Sequence, residues 1–451
     1  MNKVKMQPGE EDAKSRDIYR NAVNVIPGGV SRNTVFHKPH PQYAASAKGC
    51  YVTDIDGTAR LDFANNMASL IHGHAHPKVI EAVIEQIKRG TAYTLASEVE
   101  YKYADLLVNR IESIEKIRFV NSGTEAVMAT IKAARAFTGK PKIAKAEGTY
   151  HGTYDFAEVS QFAGPENWGE IDHPNSVPLV RGTPQSILDE VVIFPYNDTE
   201  RTLNILNNHA GEIAAVLIDP VPHRAGLAEG KEEFIEAIYQ WTREHNALLI
   251  FDEVVTLRVQ YGGAQQKYSV RPDLTAMGKI IGGGFPVGAF AGRSDIMQQL
   301  DPGQDPLPFS HSGTFSANPV TMTAGYETMK LFDKEAVENL NALAATAVRQ
   351  VREAIAAAGV PMSVTGAGSM FRIHPKANPP QSYREAWQNK EEKKVISQLL
   401  DYLFYQEKII MINTCTCMLS TVMTQKEIDR LSEALLNGFR EVKPLMDKLS
   451  Q

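Results

Sequence analysis

One lysine lies between a short apolar run and three consecutive glycines in TAMGKIIGGGFPVGA, residues 275–289. Lys279 could contact a nucleotide phosphate, lie in solvent at a turn, or act as a nucleophilic amine beside a closely approaching ligand. The phosphate-loop motif GxxxxGK[ST] requires a glycine five residues before Gly278 and a hydroxyl residue after the lysine, and Ile280 follows instead. A single lysine is most often solvated, so other residues must distinguish the two remaining interpretations.

A carboxylate ends the apolar stretch ALLIFDEVV, residues 247–255. Because side chains alternate along a strand, Asp252 and Val254 share one face and Glu253 takes the other. A buried carboxylate requires a cation or hydrogen-bond donors, although an aspartate here could equally cap a helix or form a turn. Ligands of parallel α/β sheets bind at the carboxyl ends of strands, and Asp252 and Lys279 both follow such ends.

A third candidate is the turn Ser122, Gly123 and Thr124 in RFVNSGTEAVMATIKAARA. Ser122 followed by Glu125 is a capping box, which by itself indicates only a well-formed helix start. The same turn offers two hydroxyls and a closely approaching backbone at a positive helix end, which suits a phosphate. Both interpretations can hold together.

These three elements match the needs of one cofactor, pyridoxal phosphate. Its aldehyde needs a lysine amine, its pyridine nitrogen needs an anionic partner, and its phosphate needs an anchoring helix terminus. The sequence supplies a candidate for each.

The elements that position these residues alternate between strands and helices from about residue 112. The stretches KIRFV, KIAKA, EIAAVLID, ALLIFDEVV and DLTAM are typical of short buried strands, and EEFIEAIYQWTREHN is typical of a helix. This alternation predicts an α/β fold with a large doubly wound, mostly parallel sheet. YVTDIDGTARLDF predicts a hairpin around Asp56 and Gly57. The stretch VENLNALAATAVRQVREAIAAAG, residues 337–359, predicts a long helix that leads into a second domain of short strands and terminal helices, joined by N-terminal residues.

Composition favours small-molecule chemistry in the cytoplasm. The 451 residues carry a net charge of −6 and no Lys/Arg block, which argues against nucleic acid or an anionic membrane as a partner. Three cysteines suit a reducing compartment. No apolar stretch approaches the length of a membrane span, and the first thirty residues lack a signal-peptide core. His72, His74 and His76 could present imidazoles to a metal, but Gly73 and Pro77 interrupt a regular strand, so we expect no metal site.

The chain resembles the class III (omega) aminotransferases, which are fold-type I enzymes dependent on pyridoxal phosphate. Within that class it is most similar to the glutamate-1-semialdehyde aminomutase-like branch, which includes the β-phenylalanine aminotransferases. The matching stretches are FANNMASLIHGHAHPKV, FVNSGTEAV, EGTYHG, LIFDEVVTLR, PDLTAMGKIIGGGFPVGAFAGR and HSGTFSANP. The resemblance implies that residues 1–75 contribute to a small α+β domain, 76–330 form the large cofactor-binding domain, and 331–451 complete the small domain.

The resemblance assigns roles to individual residues. Lys279 would be the Schiff-base lysine and proton shuttle, and Asp252 the partner of the pyridine nitrogen. Val254 and Tyr150 would cover opposite faces of the cofactor ring. Ser122, Gly123 and Thr124 would bind the phosphate, and Thr314 would reach the phosphate of the neighbouring subunit. A homodimer with shared active sites follows from that last role.

Substrate residues are less uniform. Arg32 aligns with an arginine that grips a carboxylate in the β-phenylalanine enzymes, although it could be a surface arginine. The stretch MINTCTCMLS has Cys415 where the aminomutases carry glutamate, and Thr414 where the β-phenylalanine enzymes carry a second arginine. Asp219 stands where glutamate is usual.

The sequence therefore predicts an aminotransferase that uses a β-amino acid or related amine and a 2-oxo acid such as pyruvate or 2-oxoglutarate. Glutamate-1-semialdehyde 2,1-aminomutase and an amino-acid racemase or epimerase on the same fold are alternatives. A non-catalytic binding protein of this fold would not need Lys279 opposite Asp252. A transcription regulator would need a DNA-binding segment, and the residues before Gly28 are too few and insufficiently basic for one.

Overall fold

The computed structural model describes residues 12–449, so the predicted small-domain contributions of residues 1–11 and 450–451 lie outside the described residues. The strands are β1 (Ala44–Lys48), β2 (Tyr51–Asp54), β3 (Ala59–Asp62), β4 (Lys116–Val120), β5 (Lys142–Ala146), β6 (Gly169–Glu170), β7 (His173–Pro174), β8 (Val191–Phe194), β9 (Ile213–Ile218), β10 (Leu248–Asp252), β11 (Leu274–Gly278), β12 (Gly288–Gly292), β13 (Ser363–Ala367), β14 (Met370–His374), β15 (Ile409–Ile410) and β16 (Thr416–Met418). The helices are α1 (Ala13–Ala22), α2 (Asn65–Ala68), α3 (Pro77–Arg89), α4 (Glu98–Arg110), α5 (Gly123–Thr138), α6 (Asp155–Glu158), α7 (Gln185–Asp189), α8 (Thr199–Asn207), α9 (Glu232–Glu244), α10 (Ser294–Met297), α11 (Pro319–Leu331), α12 (Lys334–Ala358), α13 (Tyr383–Ala386), α14 (Lys390–Tyr405) and α15 (Gln425–Leu449).

A seven-stranded sheet in the order β4-β12-β11-β10-β9-β5-β8 forms the centre of the molecule. The strands β11, β10, β9, β5 and β8 run parallel, whereas β12 is antiparallel to both of its neighbours. Every residue of β9 and β10 is buried, as expected for strands covered on both faces by helices. The predicted α/β fold with a mostly parallel sheet is confirmed, and all five predicted strands are present.

Two strands of this sheet, β8 and β12, were not predicted from the sequence. The sequence of β12, GAFAG, contains glycines that normally weaken a strand. The structure explains both of them by close backbone approach, since a Cβ at Gly288 would lie 2.0 Å from the Ser122 carbonyl oxygen. A Cβ at Gly292 would lie 2.2 Å from the Asp273 carbonyl oxygen.

The N-terminal hairpin joins a strand from the C-terminal part of the chain. Strands β2 and β3 pair antiparallel around the predicted turn, and β15 pairs parallel to β3, with Ile409 opposite Leu61. The resulting sheet has the order β1-β2-β3-β15. This pairing supports a small domain built from both ends of the chain, while its division at residues 75 and 330 stays a prediction.

Long helices pack this small sheet against the rest of the molecule. The predicted long helix at residues 337–359 corresponds to α12, and α11 precedes it. Helix α12 begins at the cap of Asp333, whose side chain accepts a hydrogen bond from the Ala336 amide, and ends at Gly359 in the left-handed region. Buried side chains of α12, α14 and α15 form one apolar cluster with the β3 and β14 residues Leu61 and Phe371. No helix among residues 12–449 has the length and apolar content needed to cross a membrane.

Candidate active site

The carboxyl ends of β10 and β11 bring Asp252 and Lys279 to the same edge of the sheet. The two strands are parallel neighbours, and Asp252 lies opposite Ala276 in their register. Lys279 begins the loop three residues further along. Asp252 is buried, with 4% of its surface exposed, whereas Lys279 is partly exposed. The edge that the sequence predicts as the ligand side therefore carries both groups.

Lys279 has a strained backbone conformation. Its φ of +50° lies in the left-handed region, which non-glycine residues rarely adopt. Gly278 precedes it, and a Cβ at that glycine would lie 3.3 Å from Val254 and 3.4 Å from the Gly123 Cα. Strain of this kind is concentrated at functional sites, and here it occurs at the residue chosen on chemical grounds.

The surroundings of the Lys279 amine favour its neutral form. Burial of the amine lowers its pKa from the ordinary value, and the carboxylates of Asp252 and Asp219 oppose that shift without reversing it. A lysine with a lowered pKa has a larger neutral fraction, which is the form that attacks a carbonyl and accepts a proton.

A chain of hydrogen bonds fixes Asp252. His151 Nδ1 lies 2.7 Å from Asp252 Oδ2, and His151 Nε2 lies 2.9 Å from Thr149 Oγ1. The second carboxylate oxygen, Oδ1, accepts the Val254 amide at 3.0 Å. Sequence reasoning gave a role in GTYHG only to Tyr150 and missed the adjacent, fully buried His151. A buried histidine is costly unless it is hydrogen-bonded. Its position next to Tyr150 was therefore the available sign that it would bond to a polar group of the site.

The Thr149 hydroxyl limits which groups can donate in these hydrogen bonds. Thr149 Oγ1 also lies 2.6 Å from the Ala146 carbonyl oxygen, where only the hydroxyl can donate. All three contacts are satisfied together when His151 donates from both ring nitrogens, to Asp252 and to Thr149. Burial lowers the pKa of His151 from its ordinary value, and the hydrogen bond to Asp252 opposes that shift.

Glu253 lies on the other side of the strand, as alternation predicts. Its carboxylate accepts hydrogen bonds from the Thr256 hydroxyl and from the amides of Ala264 and Gln265. Burial raises the pKa of Glu253 despite these donors. Its bonding capacity is used within the protein, so of the two adjacent carboxylates Asp252 is the one available to a ligand.

The Ser122 turn combines a helix cap with close backbone approach. Ser122 Oγ accepts the Glu125 amide at 3.1 Å, and Glu125 in return accepts the Asn121 amide at 2.9 Å. A Cβ at Gly123 would lie 2.8 Å from Val254 Cγ1, so only glycine fits beneath that valine. Gly123 and Thr124 open the sixteen-residue helix α5, whose positive end points to the sheet edge.

These residues fit the pyridoxal phosphate that the sequence predicts. The glycine at 123 leaves space that a side chain would fill, Val254 lies on the same face as Asp252, and the α5 terminus offers free amides for a phosphate. Tyr150 exposes 41% of its surface, so its ring is available to cover a ligand. The described residues thus hold an amine, a buried carboxylate, an anion-binding helix end and an aromatic ring around one sheet edge.

Two further predicted residues are exposed. Thr314 lies in the loop before α11, next to Gly313, whose added Cβ would lie 3.7 Å from Asn121 Nδ2 beside the Ser122 turn. Arg32 is also exposed, and its Nη1 donates to Asn66 Oδ1 at 2.6 Å. Asn66 belongs to α2, a turn in which residues 65–68 all have positive φ. Arg32 and Asn66 line a cavity of about 570 Å³ that Lys279 and Asp252 do not line.

Two of the three alternating histidines, His72 and His74, hydrogen-bond to different groups, and the His76 ring lies 5.4 Å from that of His72. His74 Nε2 lies 2.8 Å from Asp62 Oδ2, and His72 contacts the Thr421 hydroxyl at 2.7 Å and the Thr328 carbonyl at 3.0 Å. Burial lowers the pKa of His72 to about 4. Among residues 12–449, no group of three or more metal-ligating side chains is arranged to hold an ion.

A second group of polar residues borders Lys279 on the small-domain side. Arg372 Nη1 donates to the His223 carbonyl at 3.1 Å, and His223 Nε2 lies 3.2 Å from Thr414 Oγ1. Burial, then the charges of Arg372, Arg224 and Lys279, lower the pKa of His223 to about 3. Cys415 is fully buried, and burial raises the pKa of its thiol to about 12. Cys415 therefore lies in the protein interior and not at a pocket entrance.

Asp219 is the third carboxyl group near the lysine. Its Oδ1 accepts the Val221 amide at 2.9 Å. Burial raises the pKa of Asp219 well above its ordinary value, and the charge of Asp252 adds to that shift. The raised pKa favours the protonated, neutral form of the Asp219 carboxyl group.

Comparison with known proteins gives a consistent result. Residues 35–436 match the family model described as aminotransferase class-III. A glutamate-1-semialdehyde 2,1-aminomutase of Methanothermobacter thermautotrophicus is 38% identical over 374 residues, which are 83% of this chain and 86% of the relative.

Solved structures are similar over nearly the whole chain. An omega-transaminase from Sphaerobacter thermophilus has 43% identity and a TM-score of 0.93, covering 98% of this chain and 100% of that one. A transaminase with pyridoxal phosphate bound has 37% identity and a TM-score of 0.88, covering 97% and 99%. A β-phenylalanine aminotransferase from Variovorax paradoxus has 32% identity and a TM-score of 0.83, covering 95% and 94%.

Proposed function

The chain belongs to the class III aminotransferases and is a pyridoxal phosphate-dependent transaminase, and we propose that it moves an amino group from a β-amino acid or related amine to a 2-oxo acid such as pyruvate or 2-oxoglutarate. The observation that carries this choice of reaction is the 43% identity to an omega-transaminase over 98% of the chain. The similarity to a β-phenylalanine aminotransferase supports the donor class.

The described residues have distinct tasks in this reaction. Pyridoxal phosphate, when bound, supplies an electron sink for the pair left on the substrate carbon after deprotonation. The Lys279 amine takes that proton in its neutral form and returns it. Asp252, held by His151, would keep negative charge beside the pyridine nitrogen, and the amides of the Ser122 turn would bind the phosphate. Val254 and Tyr150 would cover the ring.

Arg32 would bind the donor carboxylate. Its guanidinium is exposed and has one hydrogen bond, to Asn66, so most of its five donors remain available. Exposed Thr314 would contact the phosphate of a second subunit, which requires a homodimer with shared sites. We further propose that this dimer is cytoplasmic.

Glutamate-1-semialdehyde aminomutase is the second candidate, favoured by the curated relative that is 38% identical. A mutase must retain its intermediate, whereas an aminotransferase must release the deaminated product and admit a second substrate. At the position where the aminomutase-like pattern has a glutamate, this chain has Cys415, whose thiol is buried and neutral. The absence of that carboxylate supports intermolecular transfer.

One assay compares the two candidates. β-Phenylalanine or 1-phenylethylamine is offered with pyruvate or 2-oxoglutarate, and glutamate-1-semialdehyde is offered alone. We expect amino transfer in the paired reactions and none from the semialdehyde without a 2-oxo acid. Turnover of the semialdehyde alone, with no product from any donor and acceptor pair, would reverse the assignment.

A further inference from the structure

Arg224 lies in the loop that follows β9, at the same sheet edge as Asp252 and Lys279. Strand β9 is the parallel neighbour of β10, so the segment after Ile218 leaves the sheet next to the end that carries Asp252. Arg224 and Arg372 flank His223, since Arg224 is its neighbour in the chain and Arg372 Nη1 donates to its carbonyl at 3.1 Å. Arg224 therefore follows β9 at the sheet edge that carries Asp252 and Lys279.

The Arg224 guanidinium lies over two aromatic rings. The Arg224 Cζ lies 3.9 Å from the Phe162 ring centroid and 5.5 Å from the centroid of Tyr150, the residue proposed to cover the cofactor ring. Phe162 exposes 53% of its surface, so this contact borders open space and not the core. The attraction between a cation and the face of an aromatic ring uses no hydrogen-bond acceptor, so these contacts leave the N–H donors of Arg224 available.

Arg224 has no acidic partner among residues 12–449. It makes no hydrogen bond and no ion pair there, only the two ring contacts. Nearby Arg384 shows the contrast, because its guanidinium binds both oxygens of Glu147, at 2.7 and 3.0 Å. Burial lowers the pKa of Arg224, a desolvation that an anion would offset.

We propose that Arg224 is a specificity-determining residue of the active site that binds a substrate carboxylate. A planar guanidinium can donate two parallel hydrogen bonds to a carboxylate. The carboxylate can belong to the donor or to the 2-oxo acid acceptor. The inference rests on the proposed function only in taking the ligand to be a substrate.

Binding to the holoenzyme, measured by calorimetry, tests the inference without turnover. The probes are two acids with their uncharged counterparts: 3-phenylpropionate with 3-phenylpropionamide for the donor, and glutarate with glutaramide for the acceptor. The variants are Arg224→Gln and Arg224→Lys. Arg181→Gln is the matched control, because Arg181 is exposed and the substitution makes the same change in charge.

We expect Arg224→Gln to weaken the dissociation constant of one or both acids by roughly 10- to 100-fold, as for loss of a hydrogen-bonded charge. The amides should change by less than about twofold on the same scale. Arg224→Lys, which keeps the charge but not the planar fork, should give an intermediate loss and serves if Arg224→Gln does not fold. Which acid is weakened identifies the donor or the acceptor as the source.

Several results would overturn the inference: no binding of either acid by the unsubstituted holoenzyme, equal losses for acids and amides, or an equal effect of Arg181→Gln. The proposed function fails separately. If the holoenzyme transfers no amino group but still binds the acids in an Arg224-dependent way, the carboxylate site stands and the proposed reaction does not.

Discussion

Removing His151 tests whether the chain Thr149–His151–Asp252 sustains catalysis. His151→Phe leaves Asp252 Oδ2 without its 2.7 Å partner, while Oδ1 keeps the Val254 amide. A hydrogen bond to a charged group contributes about 1.5–3 kcal/mol. If that stabilisation is required while charge develops on the cofactor ring, kcat should fall by about 10- to 100-fold.

Graded variants separate positioning from folding. His151→Asn can still donate to Asp252 and should retain more activity than His151→Phe. Thr149→Val removes only a neutral partner of the ring, so a loss of about 1 kcal/mol, or about fivefold in kcat, is expected.

The assay is kcat and KM with a paired donor and acceptor, together with circular-dichroism melting of each variant. A folded His151→Phe variant with kcat within twofold of that of the unsubstituted enzyme would refute the reasoning.

Four further predictions follow from the same geometry. Borohydride reduction of the holoenzyme should attach the cofactor to the peptide that contains Lys279, and Lys279→Ala should abolish the adduct and lower turnover by at least about 10²-fold; an adduct at another lysine would contradict the assignment. Asp252→Asn should retain cofactor but lose about 10²-fold or more in kcat, because an amide cannot stabilise the pyridinium charge; steady-state kinetics on the cofactor-loaded variant measure this, and unchanged turnover would exclude the role. Arg32→Ala should raise KM for β-phenylalanine by roughly 10-fold or more but leave 1-phenylethylamine nearly unaffected; equal effects on both would make Arg32 a structural residue. Burial lowers the pKa of His72 to about 4 in the folded protein, so between pH 6.5 and 4 the unfolded state binds one more proton than the folded state. The free energy of unfolding should therefore fall as pH decreases through that window. In urea unfolding, lowering the pH from 7.5 to 5 should destabilise the unsubstituted protein by about 2 kcal/mol more than His72→Gln, and equal losses would show that His72 does not contribute.

Sequence patterns predicted the strands and the side-chain directions that depend only on neighbouring residues. The apolar runs predicted five strands of the central sheet, and alternation in ALLIFDEVV predicted which carboxylate would face a ligand. The rule that ligands lie at the carboxyl ends of parallel strands then put Asp252 and Lys279 on one edge, as the structure has them. These inferences need only the periodicity of a strand and the direction of a parallel sheet.

Contacts across long sequence separations were not predictable in the same way. His151 and Asp252 are 101 residues apart, and nothing in GTYHG indicates which carboxylate its histidine meets. Strand β12 was missed because its glycines are required by the close approach of the Ser122 and Asp273 carbonyls, which flank the neighbouring strands β4 and β11, and glycine does not favour a strand by itself. Arg32 was predicted from resemblance alone, and the structure places it against Asn66 in a cavity that Lys279 does not line.

Charge is distributed unevenly at the sheet edge, with a carboxylate on one side and arginines on the other. Asp252 lies on the β10 side, bound to His151, while Arg224 and Arg372 lie around His223 on the small-domain side. Burial and the nearby cations favour a neutral His223. The two arginines therefore make the small-domain side attractive to anions, whereas the Asp252 carboxylate makes the β10 side attractive to a protonated nitrogen. A ligand with a basic ring nitrogen at one end and a carboxylate at the other would be oriented by this asymmetry before any contact with Lys279. If Arg224 binds a substrate carboxylate as proposed, substrates that bear a carboxylate should be preferred over simple amines of the same shape.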